Sequence, residues 1–173
     1  LVLEGVCRIG IGVDPAPFPA SLTTRPLTTV AMVPVCGAGH PLARDPGALE
    51  AQSLRDQLQI VVTDRSELTA GQDRAVLGER TWRVADLETK RALIAAGFGW
   101  GLMPEHLAAA DLERGALARL RIGDWAPIGA GVSLHAIWRT ADPPGPAGTW
   151  LLERLAEACA STPTLSPESE SVQ

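Results

Sequence analysis

Short apolar runs alternate along this chain with segments of helical periodicity, and glycine or proline separates almost every pair of them. Residues 8–13, 28–36 and 59–63 predict strands, the first by its period of two and the others by their continuous apolar character. Asp86 is typical of the N-cap of a helix, and Gly97 is typical of its end. This alternation predicts an α/β fold with mostly parallel strand pairing.

Length, charge and cysteine content restrict the class of protein. The 173 residues, 46% of them hydrophobic, are enough for a core that depends on neither disulfides nor metal. The net charge of −5 is opposite to that of a domain that grips nucleic-acid phosphates, so we expect no DNA binding by this chain alone. Cys7, Cys36 and Cys159 lack a C-x-x-C pair, which predicts buried thiols in a reducing, cytoplasmic compartment. No apolar run reaches the ~18–20 residues of a membrane helix, so no membrane partner is expected.

The ionisable residues form no pattern that assigns a chemical reaction. His40, His106 and His135 lie far apart in sequence, with no carboxylate or cysteine at ligand spacing, so no metal site is expected. The chain contains no nucleophile elbow, P-loop or dinucleotide-binding glycine motif. We therefore predict no cofactor and no catalytic residues, and we favour a binding protein over an enzyme.

Two segments carry candidate ligand contacts. Residues 64–66 are a polar triplet directly after an apolar strand, at the carboxyl end where open α/β sheets bind ligands, although a loop cap is the alternative for each residue. Residues 97–101 are the densest glycine cluster. A tight helix-to-strand turn explains this cluster, and the alternative is that its glycines bring backbone amides close to a small ligand.

The order of several short motifs resembles the effector-binding domain of bacterial LysR-type transcriptional regulators. The similarity extends over about residues 1 to 158. Each piece alone is degenerate, but the shared order is specific. In chain order the similar pieces are residues 1–5, 8–13, 25–27, 33–36, 39–43, 60–64, 86–107 and 111–117.

The resemblance implies a two-lobed fold of the type 2 periplasmic binding proteins, in which two crossing strands join two α/β lobes around a ligand cleft. Lobe I would contain residues 1–35 and 132–158, and lobe II residues 36–131. A tail over residues 161–173, rich in Ser, Pro and Glu, is expected to be disordered. In this family a winged helix-turn-helix and the first strands of lobe I would precede Leu1, so we expect both to be missing here.

The resemblance also implies a function. The chain would sense a small metabolite, form a dimer or tetramer in the full-length protein, and contact DNA only through the winged helix-turn-helix. The alternative is a solute-binding protein or enzyme of the same fold without a DNA-binding domain. An anionic effector is favoured because the side chain of Arg65 offers a planar fork of donors that matches a carboxylate. The family pattern places the ligand-binding residues at Gly12, Val13, Asp14, Thr63, Asp64, Arg65, Gly99 and Trp100.

Overall fold

The structure is a computed structural model, and it describes residues 1–13, 18–44, 47–63, 76–123 and 131–161. In this part of the chain the strands are Ile9–Val13 (β1), Leu22–Val30 (β2), Met32–Gly37 (β3), Gln59–Val62 (β4), Thr81–Val84 (β5), Trp100–Pro104 (β6), Leu117–Arg119 (β7) and Val132–Arg139 (β8). The helices are Ala51–Arg55 (α1), Leu87–Ala95 (α2), Glu105–Glu113 (α3) and Pro146–Ser161 (α4), and a 3-10 helix covers Pro41–Arg44. These elements confirm the predicted α/β class.

The chain divides into two compact units. Unit 1 contains Leu1–Ala31 and Val132–Gln173, and unit 2 contains Met32–Gly131. The lobe boundaries at residues 35 and 158 stay a prediction. The predicted disordered tail lies, except for Ser161, outside the described residues.

Unit 1 is built on a three-stranded sheet with the order β1-β8-β2, in which both pairings are antiparallel. The strand predicted over residues 28–36 is in fact two strands, separated by Ala31. The reason is a change of partner: β2 pairs with β8 in this sheet, and β3 pairs with β6 in the other. Helix α4 packs against β2.

Unit 2 is built on a five-stranded sheet with the order β5-β4-β6-β3-β7. Strand β4 is parallel to both β5 and β6, whereas β3 is antiparallel to both β6 and β7. The expectation of mostly parallel pairing is therefore wrong. Parallel neighbours need a long crossover connection, and among the pairs of strands that the structure describes only those of β4 are parallel.

Two apolar clusters form the core of unit 2. One contains Val33, Val35, Ile60, Ile94, Met103, Ala108 and Leu117. The other, which we call the Trp100 cluster, contains Cys36, Leu42, Leu49, Leu54, Trp100 and Leu120. Each Å² of apolar surface that is buried contributes roughly 25 cal/mol to stability. Burial of these side chains is therefore the main source of stability in such a unit.

Helix α2 begins and ends as its sequence predicts. The Asp86 carboxylate accepts a hydrogen bond of 2.7 Å from the Thr89 N–H, which caps the first turn. Gly97 follows the helix with a φ of +82°, a conformation that favours glycine. Asp111 of α3 is buried and accepts a hydrogen bond of 3.1 Å from Arg91, so an ion pair also holds α2 to α3.

The three cysteines are free, and only one of them is fully buried. Cys36 is buried, Cys159 is half-buried and Cys7 is exposed, which corrects the expectation of three buried thiols. The described helices, of which α4 is the longest at 16 residues, include none that could cross a bilayer.

Candidate functional site

The candidate site in unit 2 is the edge of the sheet where the parallel strands β4 and β5 end. Thr63 directly follows β4, and its N–H donates a hydrogen bond of 2.8 Å to the carbonyl of Val84, the last residue of β5. This bond fixes the backbone at the strand end and leaves Thr63 exposed. Because α2 starts at Leu87, shortly after β5, its N-terminus lies at the same edge.

The N-terminus of α2 is already capped by a negative charge. The two Asp86 carboxylate oxygens accept hydrogen bonds from the Thr89 N–H and, at 3.0 Å, from the Thr89 hydroxyl. This carboxylate occupies the position that a ligand anion takes at an open helix end. An anionic ligand at this edge would therefore need a cation from elsewhere in unit 2.

Lys90, one turn further along α2, is a cation that the sequence analysis missed. Its side chain is buried, with 6% of its surface exposed, and burial lowers its pKa to about 8. A Cβ atom on Gly101 of β6 would lie 2.9 Å from Lys90 Cε, so the lysine stem lies across this glycine. The signal that could have found it is helical spacing, because Leu87, Lys90 and Ile94 share one face of α2.

Trp100 lies at the opposite edge of the sheet from Thr63. It pairs with Gln59, the first residue of β4, so four residues and ~13 Å of strand separate it from Thr63. Its side chain is fully buried, and its indole N–H donates a hydrogen bond of 3.2 Å to the Leu54 carbonyl. The structure does not bring Trp100 and Thr63 together, and the indole belongs to the core instead.

Gly99 also packs tightly in the core, against the backbone of Leu58. A Cβ atom there would lie 2.2 Å from the Leu58 carbonyl oxygen, a distance that no side chain tolerates. The Trp100 N–H is also taken, since it donates a hydrogen bond of 3.0 Å to that oxygen. Of the two interpretations of this glycine cluster, close packing of backbone against backbone therefore explains Gly99, and we leave Gly99 and Trp100 out of the site.

The predicted contacts of unit 1 lie at the end of β1. Gly12 pairs with His135 and Val13 with Leu134 of β8, and Val13 is half exposed. A Cβ atom on Gly12 would make only an ordinary contact of 3.5 Å, so packing does not require a glycine there. The remaining predicted contacts, Asp14, Asp64 and Arg65, lie outside the described residues.

A cavity of about 320 Å³ in unit 1 contains none of the predicted site residues. It is lined by Arg8, Ile9 and residues 144–148, at the start of α4. Arg8 is not a free cation, because it forms an ion pair of 2.6 Å with Asp142. The hydrogen bond from Arg8 is the main reason that the pKa of Asp142 lies below its ordinary value.

The buried titratable groups of unit 2 other than Lys90 suit structure better than chemistry. Burial raises the pKa of Cys36 to about 11, so its thiol stays protonated at neutral pH. Burial also lowers the pKa of His40, whose Nδ1 accepts a hydrogen bond of 3.2 Å from the Leu42 N–H. Within the described ranges, no three His, Cys, Asp or Glu side chains are grouped so that they could hold a metal ion.

Comparison with known proteins gives a family match and several structural neighbours. The family model described as LysR substrate binding domain matches residues 1–160. The regulatory domain of MetR from N. meningitidis has a TM-score of 0.74 at 20% identity, covering 96% of this chain and 79% of that one. Comparison with curated protein sequences gives no significant match.

Two further neighbours were solved with small molecules bound. The Synechocystis CcmR regulatory domain, in complex with 2-PG, has a TM-score of 0.72 at 19% identity, over 94% of this chain and 78% of that one. The effector binding domain of QuiR, in complex with shikimate, has a TM-score of 0.66 at 18% identity, over 90% and 72%. At these identities the structural likeness shows a shared fold.

Proposed function

The chain belongs to the LysR substrate binding domain family, and from this premise we propose that it senses a small-molecule effector for a bacterial transcription regulator. The observation that carries the proposal is the family match over residues 1–160. The family assignment and the type 2 periplasmic-binding-protein-like fold, both predicted from the sequence, are confirmed. The family is one of transcription regulators and not of enzymes.

The proposal assigns DNA binding to another part of the regulator. The net charge of −5 gives this chain no electrostatic attraction for phosphates, so a winged helix-turn-helix in the full-length cytoplasmic protein would contact the operator. An effector regulates only if it binds two arrangements of the regulator with different affinities. Assembly into a dimer or tetramer, and effector binding in a cleft between the lobes, stay predictions.

A gel-shift experiment tests whether DNA binding belongs to another part of the regulator. We expect residues 1–173 alone to give no sequence-specific shift of the promoter DNA next to the gene, whereas the full-length protein shifts it. Sequencing the DNA upstream of the codon for Leu1 is the companion measurement. A helix-turn-helix there supports the regulator, and a signal peptide there would instead favour a solute-binding protein.

Thr63 is the described residue that we propose as the effector contact of unit 2. Thr63 is exposed at the carboxyl end of β4, where ligands bind open α/β sheets. In unit 1 we propose Gly12 and Val13 as effector contacts. A net hydrogen bond contributes about 0.5–1.5 kcal/mol, which corresponds to a few-fold to about tenfold in affinity.

Replacing Thr63 with valine is therefore expected to weaken effector binding up to about tenfold with little change in folding. Affinity is measured by calorimetric titration with an effector chosen from a thermal-shift screen of carboxylated and phosphorylated metabolites. Thr81→Val is the matched control, because Thr81 pairs with Gln59 at the opposite edge of the same sheet. Equal affinities in the two variants would remove Thr63 from the site.

A further inference from the structure

Strand β5 is the outermost strand of the unit 2 sheet, and among the strands that the structure describes it pairs only with β4. On the β4 side, the carbonyls of Arg80 and Val84 accept hydrogen bonds of 2.9 and 2.8 Å from N–H groups of β4 and of the residue that follows it. Alternate residues of a strand direct their backbone groups to opposite sides. The N–H and C=O groups of Thr81 and Arg83 therefore point away from β4, towards any strand that is added at this edge.

Two exposed aromatic rings lie beside the same edge. Trp82 has 47% and Phe98 54% of its surface exposed, and the centroids of the two rings are 5.7 Å apart. Trp82 shares a face of β5 with Val84, which packs against the core of unit 2. The ring pair therefore extends an apolar surface to the rim of the sheet, and aromatic side chains are enriched where proteins contact one another.

The charges along this edge restrict which strand it can accept. Edge strands are commonly protected by lysine, proline or a bulge. Residues 79–84 contain neither lysine nor proline, and β5 pairs with β4 through four consecutive residues without a bulge. They do contain Glu79, Arg80 and Arg83. A strand that pairs here must place complementary groups opposite these three, because like charges directly opposite one another destabilise a sheet.

A second copy of β5 provides that complement in one antiparallel register. Pairing centred on Arg83 would set two arginines against each other, and pairing centred on Trp82 leaves Arg83 opposite Thr81. Pairing centred on Thr81 places Arg83 of one copy opposite Glu79 of the other. It also places Arg80 opposite Trp82, where a guanidinium can stack on the indole ring. The two-fold symmetry of such a pair forms each of these contacts twice.

We propose that unit 2 associates with a second copy of itself through β5, with the two strands antiparallel about Thr81, so that two five-stranded sheets become one continuous sheet. This inference rests on the proposed function, which predicts a dimer or tetramer, and it names the surface and the partner. The edge is short, and interfaces that bury less than ~1,200 Å² are weak and transient. We therefore expect a dimer that dissociates at micromolar concentrations.

Sedimentation equilibrium of residues 1–173 across the micromolar range measures the dissociation constant, and charge reversal tests the register. Arg83→Glu and Glu79→Arg each place like charges opposite one another, so each is expected to weaken the dimer at least tenfold. The double variant exchanges the two charges and should restore the wild-type constant. Arg44→Glu is the matched control, because it reverses an exposed charge in the 3-10 helix of the same unit and should change nothing.

A proline tests the backbone pairing. Thr81→Pro removes the N–H group at the centre of the proposed pair, and edge strands tolerate proline where that group faces outwards. We expect a monomer with an unchanged circular dichroism spectrum. Thr81→Val keeps the N–H group and should leave the dimer intact. A wild-type chain that stays monomeric, a dimer that survives Thr81→Pro, or a double variant that fails to restore it would each overturn the inference.

The outcomes separate this inference from the proposed function. If a metabolite from the screen stabilises the chain and the chain is monomeric throughout, effector sensing holds and the β5 interface is wrong. If the double charge variant restores the dimer while no metabolite stabilises the chain, the interface stands and the effector-binding function is contradicted.

Discussion

Replacing Trp100 with alanine is expected to lower the free energy of unfolding by about 3–5 kcal/mol, the range measured for fully buried aromatic side chains. Trp100 has no exposed surface and belongs to the Trp100 cluster together with Leu54 and Cys36. The variant also leaves the Leu54 carbonyl without the indole N–H that now donates to it. Urea unfolding, followed by circular dichroism, measures the change.

Trp150 provides the matched control for this prediction. It lies on α4 with 62% of its surface exposed, so Trp150→Ala should change stability by no more than about 0.5 kcal/mol. The milder Trp100→Phe variant decides between core and ligand contact. If that variant folds but binds the effector more than tenfold more weakly than the wild type, the indole is a ligand contact after all and its assignment to the core is wrong.

Replacing Lys90 with methionine is expected to have the opposite effect and to stabilise the chain at pH 7 by about 3 kcal/mol. The estimate follows from the fall of the lysine pKa from 10.5 to about 8, at about 1.4 kcal/mol for each pKa unit. Methionine has a similar length and carries no charge to desolvate.

The pH dependence of this stabilisation has a definite sign. Between pH 8 and 10.5 the unfolded wild-type chain binds the lysine proton and the folded chain does not, so wild-type stability rises with pH in this window. Below pH 8 both states are protonated, and the difference between Lys90→Met and wild type is largest there. Above pH 10.5 the difference vanishes.

Cys36 titrates in part of the same window with the opposite sign. Its folded-state pKa of about 11 lies above the ordinary value of 9.0, so between these values the unfolded chain loses the thiol proton first and stability falls as pH rises. Both chains contain Cys36, so the difference between their unfolding free energies at pH 7, 9 and 10.5 isolates the lysine. Equal stability of the two chains at pH 7 would contradict the prediction.

Local chemistry explains which elements were predictable from the sequence. The Asp86 cap and the Gly97 end of α2 depend on residues a few positions apart, and the structure has both. Strand direction depends on partners distant in sequence. Periodicity could not show that β8 lies between β1 and β2, or that residues 28–36 change sheets at Ala31.

The candidate site was harder to predict, because it depends on which side chains are buried. Burial depends on contacts between residues that are distant in sequence. The family pattern pointed to Trp100, yet its strand starts at the edge opposite to the one where β4 ends. Lys90 was passed over because a charged residue on a helix is usually solvated. Only packing against Gly101 shows that its stem lies under the helix.

The single buried lysine also allows a protease to measure how often helix α2 separates from the sheet. A lysine-specific endoprotease has one target in the chain, the bond between Lys90 and Arg91, in the middle of α2. Because Lys90 lies under the helix against β6, the protease can cleave only when α2 separates from the sheet. At protease concentrations low enough that α2 closes faster than it is cleaved, the cleavage rate therefore reports the free energy of that local opening, without any label or substitution.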